Sequence, residues 1–187
     1  MSTAVGDWAG LIEKVQYLLD RSEVLDCVSR YARGVDRHDA ELLVSAYHPD
    51  GIDVHGNTVN QMANFAEWAN ALHDATFQRH THCLTTHNCD IAGNTAHAES
   101  YVLFGLLTRD GQSVWLGCGR YIDRLEKRDG EWKIALRRTT VEWMVTADTA
   151  PMKTDYFLKQ GYPFGAADRT DISFQRPLML DVPAPGG

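Results

Sequence analysis

Residues 81–103, THCLTTHNCDIAGNTAHAESYVL, consist of two extended segments on either side of a Gly93-Asn94 turn. Threonine occurs on both sides, with isoleucine before the turn and tyrosine and valine after it, as is typical of strands. Two further turn signals, Asp110-Gly111 and Asp129-Gly130, divide the following residues into strands of similar length. The pattern predicts an antiparallel meander over about residues 78–145, and strands of this length twist and curve.

The residues before the meander have helical periodicity instead. In DRSEVLDCVSRYARGVDRHD, Asp20 is the expected N-cap and Glu23 its capping-box partner. An apolar stripe that should face the core is formed by Leu25, Val28, Ala32 and Val35. A short second helix in DAELLVSAYHPDG, a strand at Ile52–His55 and a third helix from about Asn60 to Asp74 should follow. Helices first and strands second indicate an α+β fold.

The length and composition fit one globular domain. The chain has 187 residues, of which 44% are apolar and 23% charged, and this is too short for two well-packed domains. We assign the domain to residues 1–150. The proline-containing tail at 151–187 is predicted to be an arm that covers the pocket or a neighbouring subunit, with a disordered end at PAPGG.

The charge and the cysteines restrict the partners and the compartment. A net charge of −7 and a pI near 5.5 argue against nucleic acid or an anionic membrane as a partner. The sequence contains no 18-residue apolar run and no recognisable signal peptide. The four cysteines form no C-x-x-C pair, so we expect reduced thiols and a cytoplasmic protein.

Asp36 is a carboxylate in an unexpected position. It lies eleven residues after Leu25, so at about 100° per residue it returns to within about 20° of the apolar stripe. Burying a carboxylate is costly unless it is paired or lines a cavity. The alternative is that Asp36 lies past the helix end and caps a turn. Tyr31 points about 140° away from Asp36, so the two share a site only if the helix bends or ends near Gly34.

The histidines and cysteines of residues 78–89 separate by strand parity. His80 and His82 should point to one side, and Cys83, His87 and Cys89 to the other. Because the two groups face opposite ways, a shared metal cage is excluded, and His80 with His82 would need further ligands. We predict no metal, and we expect His80 at the pocket mouth. The alternative is that all three histidines are polar residues on a half-exposed strand.

The last strand adds an arginine by the same alternation. Its inward series is Trp132, Ile134, Leu136 and Arg138. This predicts that Arg138 points toward the core and Arg137 outward. The alternative is that Arg138 extends past the sheet rim or pairs with Glu142.

Four pieces of the sequence together resemble a known family. EVLDCVSRYARGVDRHD, YHPDGIDVHG, the meander's first hairpin and GEWKIALRRTTVEW occur in the order found in the nuclear-transport-factor-2-like, SnoaL-like proteins. This branch includes scytalone dehydratase, the bile-acid dehydratases and hexachlorocyclohexane dehydrochlorinase. The resemblance implies a cone of helices packed on a curved antiparallel sheet around one pocket, and a homo-oligomer, either a dimer or a trimer.

The resemblance also implies a site. The family's catalytic aspartate and histidine fall on Asp36 and His82, the tyrosine of the bile-acid dehydratases falls on Tyr31, and the arginine of the dehydrochlorinase corresponds best to Arg138. The implied activity is a cofactor-independent dehydratase acting on a small hydrophobic cyclic molecule such as a steroid or polyketide. Alternatives are a ketosteroid-type isomerase, a dehydrohalogenase, and a non-catalytic ligand-binding or structural subunit.

Overall fold

The computed structural model describes residues 8–179 of the chain. Its helices and strands, in chain order, are α1 Trp8–Asp36, α2 Ala40–Ser45, β1 Tyr47–His55, β2 Thr58–Gln61, α3 Met62–Thr76, β3 Phe77–Ala92, β4 Thr95–Thr108, β5 Ser113–Arg128, β6 Glu131–Asp148 and α4 Asp155–Leu158. Among these elements no helix is long and apolar enough to cross a membrane.

The six strands form one sheet in the order β2-β1-β6-β5-β4-β3. Neighbouring strands are antiparallel except β1 and β6, which are parallel. The sheet is curved but not closed, and α1 and α3 pack against it. The predicted α+β class, with helices preceding a curved sheet, is confirmed.

Helix α1 is longer than predicted. It begins at Trp8, so the prediction that Asp20 caps it is wrong. The Asp20 carboxylate lies mid-helix and accepts hydrogen bonds from Lys127 Nζ at 2.7 Å and Trp132 Nε1 at 2.9 Å. These bonds tie the helix to the β5–β6 hairpin. The buried face of α1 also differs from the predicted stripe, because Leu25 is 39% exposed while Val24 is fully buried.

A β-bulge interrupts the parity of β3. Leu84 pairs with Val102 and His87 pairs with Ser100, so two residues of β3 stand opposite one residue of β4. The extra residue reverses which side chains point inward. The prediction that Cys83 and Cys89 share a face is therefore wrong, since Cys89 is buried and Cys83 is exposed.

The described part of the C-terminal arm packs on its own chain near the end of α1. Arg37 Nε lies 3.3 Å from Asp171 Oδ1, and Arg79 Nε donates to the backbone oxygen of Gly165 at 2.9 Å. The Arg33 guanidinium lies over the Phe174 ring at 5.3 Å. The end predicted to be disordered, at residues 183–187, lies outside the described residues.

Candidate active site

Asp36 and His82, which are 46 positions apart in the chain, are in direct contact. Asp36 is the last residue of α1, and His82 lies in the first half of β3. His82 Nδ1 lies 2.7 Å from Asp36 Oδ1, and the backbone N–H of His82 donates to Asp36 Oδ2 at 2.8 Å. Because a carboxylate accepts, Nδ1 carries the proton and Nε2 is left with a free lone pair. Both side chains are only 14% exposed.

A glycine allows the end of α1 to reach this position. A Cβ on Gly34 would lie 2.6 Å from the backbone nitrogen of Leu43 in α2. Glycine therefore lets α2 pack directly against the last turn of α1. Asp36 follows two residues later, and its neighbour Val35 accepts a hydrogen bond from the ring of His80. The last turn of α1 is thus held from both sides.

His82 lines a cavity of about 200 Å³ between the helices and the concave face of the sheet. The walls come from α1, α3 and five of the strands, β1 and β3 to β6. Most of the lining is apolar and includes Phe65, Trp68, Leu72, Val102, Phe104 and Leu106. An apolar lining of this kind strengthens electrostatic interactions with a bound ligand.

Tyr31 and Asp36 do not face the same space. Helix α1 continues through Gly34, so the two side chains diverge. Tyr31 lines the cavity, while Asp36 lines a neighbouring open cleft, and the ring of His82 borders both. Burial raises the pKa of Tyr31 well above its usual range. The phenol therefore stays protonated and can donate a hydrogen bond to a ligand.

The prediction that Arg138 points inward and Arg137 outward is wrong. Arg124 pairs with Leu136 but Leu125 pairs with Ile134, so Ala135 is an extra residue in β6. This bulge shifts the alternation by one position. Arg138 is consequently exposed on the outer face, and Arg137 is fully buried.

Arg137 forms a buried ion pair behind the cavity. Its Nε and Nη2 donate to Asp123 at 2.7 and 2.6 Å, and both side chains have no exposed surface. The guanidinium carbon lies 4.1 Å from the ring centroids of both Tyr31 and Tyr121. A cation between two ring faces is stabilising and holds both phenols in place. Parity could have found Asp123, which alternates with Tyr121 and Leu125.

Three further histidines lie behind His82. His80 is buried rather than at the pocket mouth, and its Nε2 donates to the backbone oxygen of Val35 at 2.9 Å. Its ring stacks on His73 with centroids 4.1 Å apart and on His38 at 5.1 Å. Burial lowers the pKa of His73 to about 3 and also lowers that of His80. Burial therefore favours the neutral form of His73 and His80, the two rings stacked beside His82.

These three histidines are also the side chains that could hold a metal ion. Their candidate ligand atoms lie within 4.8 Å of one another. A tetrahedral zinc site with bonds of about 2.0–2.1 Å needs the lone pairs to converge on one point. The rings of His73 and His80 are only 15° from parallel, so their in-plane lone pairs do not converge. The described geometry therefore favours stacking over coordination.

A second carboxylate–imidazole pair borders the cavity, and the sequence analysis missed it. In β1, His55 Nδ1 contacts the Oδ1 of the fully buried Asp53, and Tyr47 Oη donates to Asp53 Oδ2 at 2.7 Å. His55 lines the cavity. The signal was the two-residue spacing of Asp53 and His55, but the apolar neighbours Ile52 and Val54 suggested the opposite orientation.

Comparison with known proteins agrees with this architecture. The chain is similar to the crystal structure of Rv3472 from Mycobacterium tuberculosis, a protein of unknown function, with 27% identity, a TM-score of 0.60, and coverage of 68% of this chain and 79% of that one. A hexachlorocyclohexane dehydrochlorinase has 19% identity and a TM-score of 0.67, over 73% and 94% of the two chains. A proposed scytalone dehydratase from Novosphingobium aromaticivorans has 17% identity and a TM-score of 0.64, over 71% and 90%.

The last two similarities show the fold alone, and the search of curated proteins gave no match. The family model for a SnoaL-like domain matches residues 16–138. This range includes both helices and strands that build the cavity, together with Tyr31, Asp36 and His82. Because the match spans more than half of the chain, the chain belongs to the SnoaL-like domain family.

Proposed function

We propose that the protein is a cofactor-independent lyase that removes water from a small hydrophobic cyclic ketone. The observation that carries the proposal is the hydrogen-bonded Asp36–His82 pair, whose imidazole borders an apolar cavity. A carboxylate behind an imidazole fixes the tautomer and stabilises the imidazolium that forms when the ring takes a proton. The fold is shared with proteins named as a dehydrochlorinase and a dehydratase, whose names describe eliminations.

In the proposed reaction, His82 Nε2 removes a proton from the carbon next to the substrate carbonyl. The C–H electron pair moves into the carbonyl and forms an enolate. Tyr31, whose phenol stays protonated, donates a hydrogen bond to the enolate oxygen. The enolate then collapses and a carbon–carbon double bond forms while the C–O bond breaks, and the β-hydroxyl takes a proton from an acidic group of the site and leaves as water. These steps are proton transfers and one C–O cleavage without net oxidation or reduction, so side chains can carry them out without a metal or organic cofactor. Base catalysis of this kind contributes about 10²–10⁴-fold.

The arginine in the proposal is Arg137 rather than Arg138. Arg138 is exposed on the outer face of the sheet, away from the cavity. Arg137 stacks against the ring of Tyr31, so its charge favours negative charge developing at the phenol. It therefore acts by positioning and polarising Tyr31.

The cavity size favours a substrate of one or two rings. Pockets for drug-sized ligands usually measure about 300–1,000 Å³, and this cavity measures about 200 Å³. A four-ring steroid would extend beyond this volume, whereas a monocyclic or bicyclic ketone would fit within it. Among the substrate classes that the resemblance implies, we therefore favour a small polyketide-like ring over a steroid.

Three further proposals concern the whole chain. We infer that residues 1–150 are one domain. We also infer that the arm at 151–187 covers the open cleft lined by Asp36, and the Arg37–Asp171 contact supports this. We infer a homo-oligomer, because apolar side chains such as Trp143 and Val145 are about half exposed at the end of β6. The four free thiols fit a cytoplasmic location.

Mass spectrometry of the product tests the proposed activity. With 3-hydroxycyclohexanone as the probe, we expect loss of water to give cyclohexenone. The variant His82→Gln should lose the activity, and His97→Gln, which changes an exposed histidine on β4, should retain it. An isobaric product would indicate an isomerase. Equal activity of the two variants would contradict the proposal.

A further inference from the structure

Strand β1 ends in a buried carboxylate followed two residues later by an imidazole. Residues two apart in a strand point to the same side, so Asp53 and His55 meet at the edge of the cavity. Asp53 is fully buried, and its second oxygen accepts the Tyr47 hydroxyl at 2.7 Å. Burial raises the pKa of Tyr47 well above its usual range, so Tyr47 remains a donor. The carboxylate is thereby fixed in position.

The free nitrogen of His55 is available to a ligand. His55 Nδ1 donates to Asp53, and no described residue forms a hydrogen bond with Nε2. The ring lines the cavity, where its centroid lies 6.3 Å from that of Phe65 and 6.0 Å from that of Trp68. The side chain is 32% exposed. It can therefore exchange a proton both with a bound molecule and with water.

His55 and His82 border the same cavity beside different parts of α3. They are on β1 and β3, which are four strand spacings apart in the sheet, and the curvature of the sheet brings both rings to one cavity. His55 adjoins Phe65 and Trp68, whereas His82 adjoins His73 with ring centroids 5.9 Å apart. These neighbours are five to eight residues apart on α3, or about 8–12 Å at 1.5 Å per residue.

The spacing of these neighbours along α3 is similar to the span that an elimination needs. A base, a reacting H–C–C–O unit and an acid in line occupy about 8 Å, if each proton transfer spans a heavy-atom distance of about 2.6–3.2 Å. When the α-proton and the leaving group are on opposite faces of the ring, a single histidine cannot reach both. Two histidines beside different parts of α3 can.

We propose that His55 is the general acid of the reaction, and this inference rests on the proposed dehydratase function. His82 Nε2 takes the α-proton, and the C–H electron pair becomes the new double bond through the enolate. The C–O bond breaks with its electron pair on oxygen. His55, as the imidazolium whose Nδ1–H is held by the Asp53 carboxylate, donates its Nε2 proton to that oxygen, so the leaving group is water and His55 is left neutral. His82 then releases its proton and His55 regains one from solvent. Asp53 is a positioning residue that orients His55.

Comparing two leaving groups tests the general acid separately from the general base. Loss of water from 3-hydroxycyclohexanone needs a proton on the oxygen, whereas loss of chloride from 3-chlorocyclohexanone needs none. Formation of cyclohexenone is followed by ultraviolet absorbance for wild type, His55→Gln, His82→Gln and the control His97→Gln, with the uncatalysed rate subtracted. Circular dichroism confirms that each variant is folded.

The two variants should differ in their dependence on the leaving group. His55→Gln should reduce kcat for water loss by about 10²–10⁴-fold but kcat for chloride loss by less than about fivefold. His82→Gln should reduce both. Equal losses by His55→Gln on the two probes, or no loss on either, would overturn the acid role.

A measurement on the wild type tests whether protonation of the leaving group is catalysed, even if His55→Gln does not fold. Transfer from water to D₂O should slow water loss by the wild type more than chloride loss, and equal effects would overturn the proposal. If the wild type eliminates neither group, or if His82→Gln retains both activities, the proposed function itself fails and the inference falls with it. Failure confined to His55 leaves the function of His82 intact.

Discussion

The substitution Asp36→Asn keeps the shape of the side chain and should reverse the tautomer of His82. Asp36 Oδ2 accepts the backbone N–H of His82 at 2.8 Å, and Oδ1 accepts Nδ1–H at 2.7 Å. An asparagine has one oxygen, and the backbone N–H can only donate, so that oxygen must face the backbone. The amide NH₂ then faces Nδ1, which must become an acceptor. The ring proton moves to Nε2, and the base is lost.

The size of the effect follows from the role of the base. General-base catalysis contributes about 10²–10⁴-fold, so kcat should fall by this factor. At about 1.36 kcal/mol per tenfold change, the loss corresponds to about 3–5 kcal/mol of transition-state stabilisation. The folded state exchanges one hydrogen-bond pattern for another, so the free energy of unfolding should change by less than about 1 kcal/mol.

The assay is the conversion of 3-hydroxycyclohexanone to cyclohexenone, with urea unfolding as the check on stability. Asp90→Asn is the matched control, because Asp90 is exposed on the same strand as His82 and should tolerate the change. A folded Asp36→Asn variant with less than about a fivefold loss of kcat would refute the reasoning that the carboxylate sets the tautomer of His82.

Three other predictions concern stability and reactivity. Arg137→Met leaves the buried carboxylate of Asp123 unpaired and should lower the free energy of unfolding, measured in urea, by about 3–5 kcal/mol. The same change at the exposed neighbour, Arg138→Met, should alter it by less than about 0.5 kcal/mol. Equal effects of the two substitutions would contradict the observed orientations of the two arginines. Burial opposes ionisation of Asp171, but hydrogen bonds and a nearby arginine outweigh it and lower the pKa of this carboxyl to about 2. The ionised carboxylate therefore stabilises the folded chain above about pH 4, and this stabilisation is lost as the pH falls through about 2. The stability difference between wild type and Asp171→Asn should therefore vanish near pH 2 in urea titrations, and a constant difference would contradict this. Burial raises the pKa of Cys27 to about 11, so iodoacetamide at pH 8 should modify the exposed Cys83 first, as read by peptide mass mapping; faster labelling of Cys27 would contradict its burial.

The regular parts of the fold could be predicted because local signals specify them. The turn at Gly93-Asn94 and the two Asp-Gly turns are all observed as hairpin connections, since residues with positive φ occur at each. The family resemblance then selected the Asp36–His82 pair, which hydrophobic periodicity alone could not have joined across 46 residues. Contacts between distant segments depend on packing that no local pattern records.

The errors in side-chain direction on β3 and β6 have one physical origin, which is the assumption of unbroken alternation. The bulge at Ala135 exchanged the orientations of Arg137 and Arg138. The bulge between Leu84 and His87 placed Cys83 and Cys89 on different faces of β3 instead of the same one. Bulges are inserted where a sheet must curve around a cavity. They occur beside the site for that reason, so parity fails where side-chain direction decides function.

In strand β1 the hydrophobic pattern also predicts the wrong side-chain orientation. Ile52 is 37% exposed while Asp53 is fully buried, the reverse of what hydrophobicity predicts. The cost of burying the carboxylate is offset by the Tyr47 hydroxyl and the imidazole of His55. Those partners are recognised only once β1 is placed against the cavity.

The most direct test of the central claim is deuterium incorporation at the α-carbon of cyclohexanone, which carries no leaving group. Proton NMR in D₂O follows the exchange for wild type, His82→Gln and the control His97→Gln. If His82 is the base over the apolar cavity, wild type and His97→Gln should exchange the α-protons faster than buffer, and His82→Gln should fall to the buffer rate. Exchange by His82→Gln at the wild-type rate, or no exchange by the wild type, would contradict the claim.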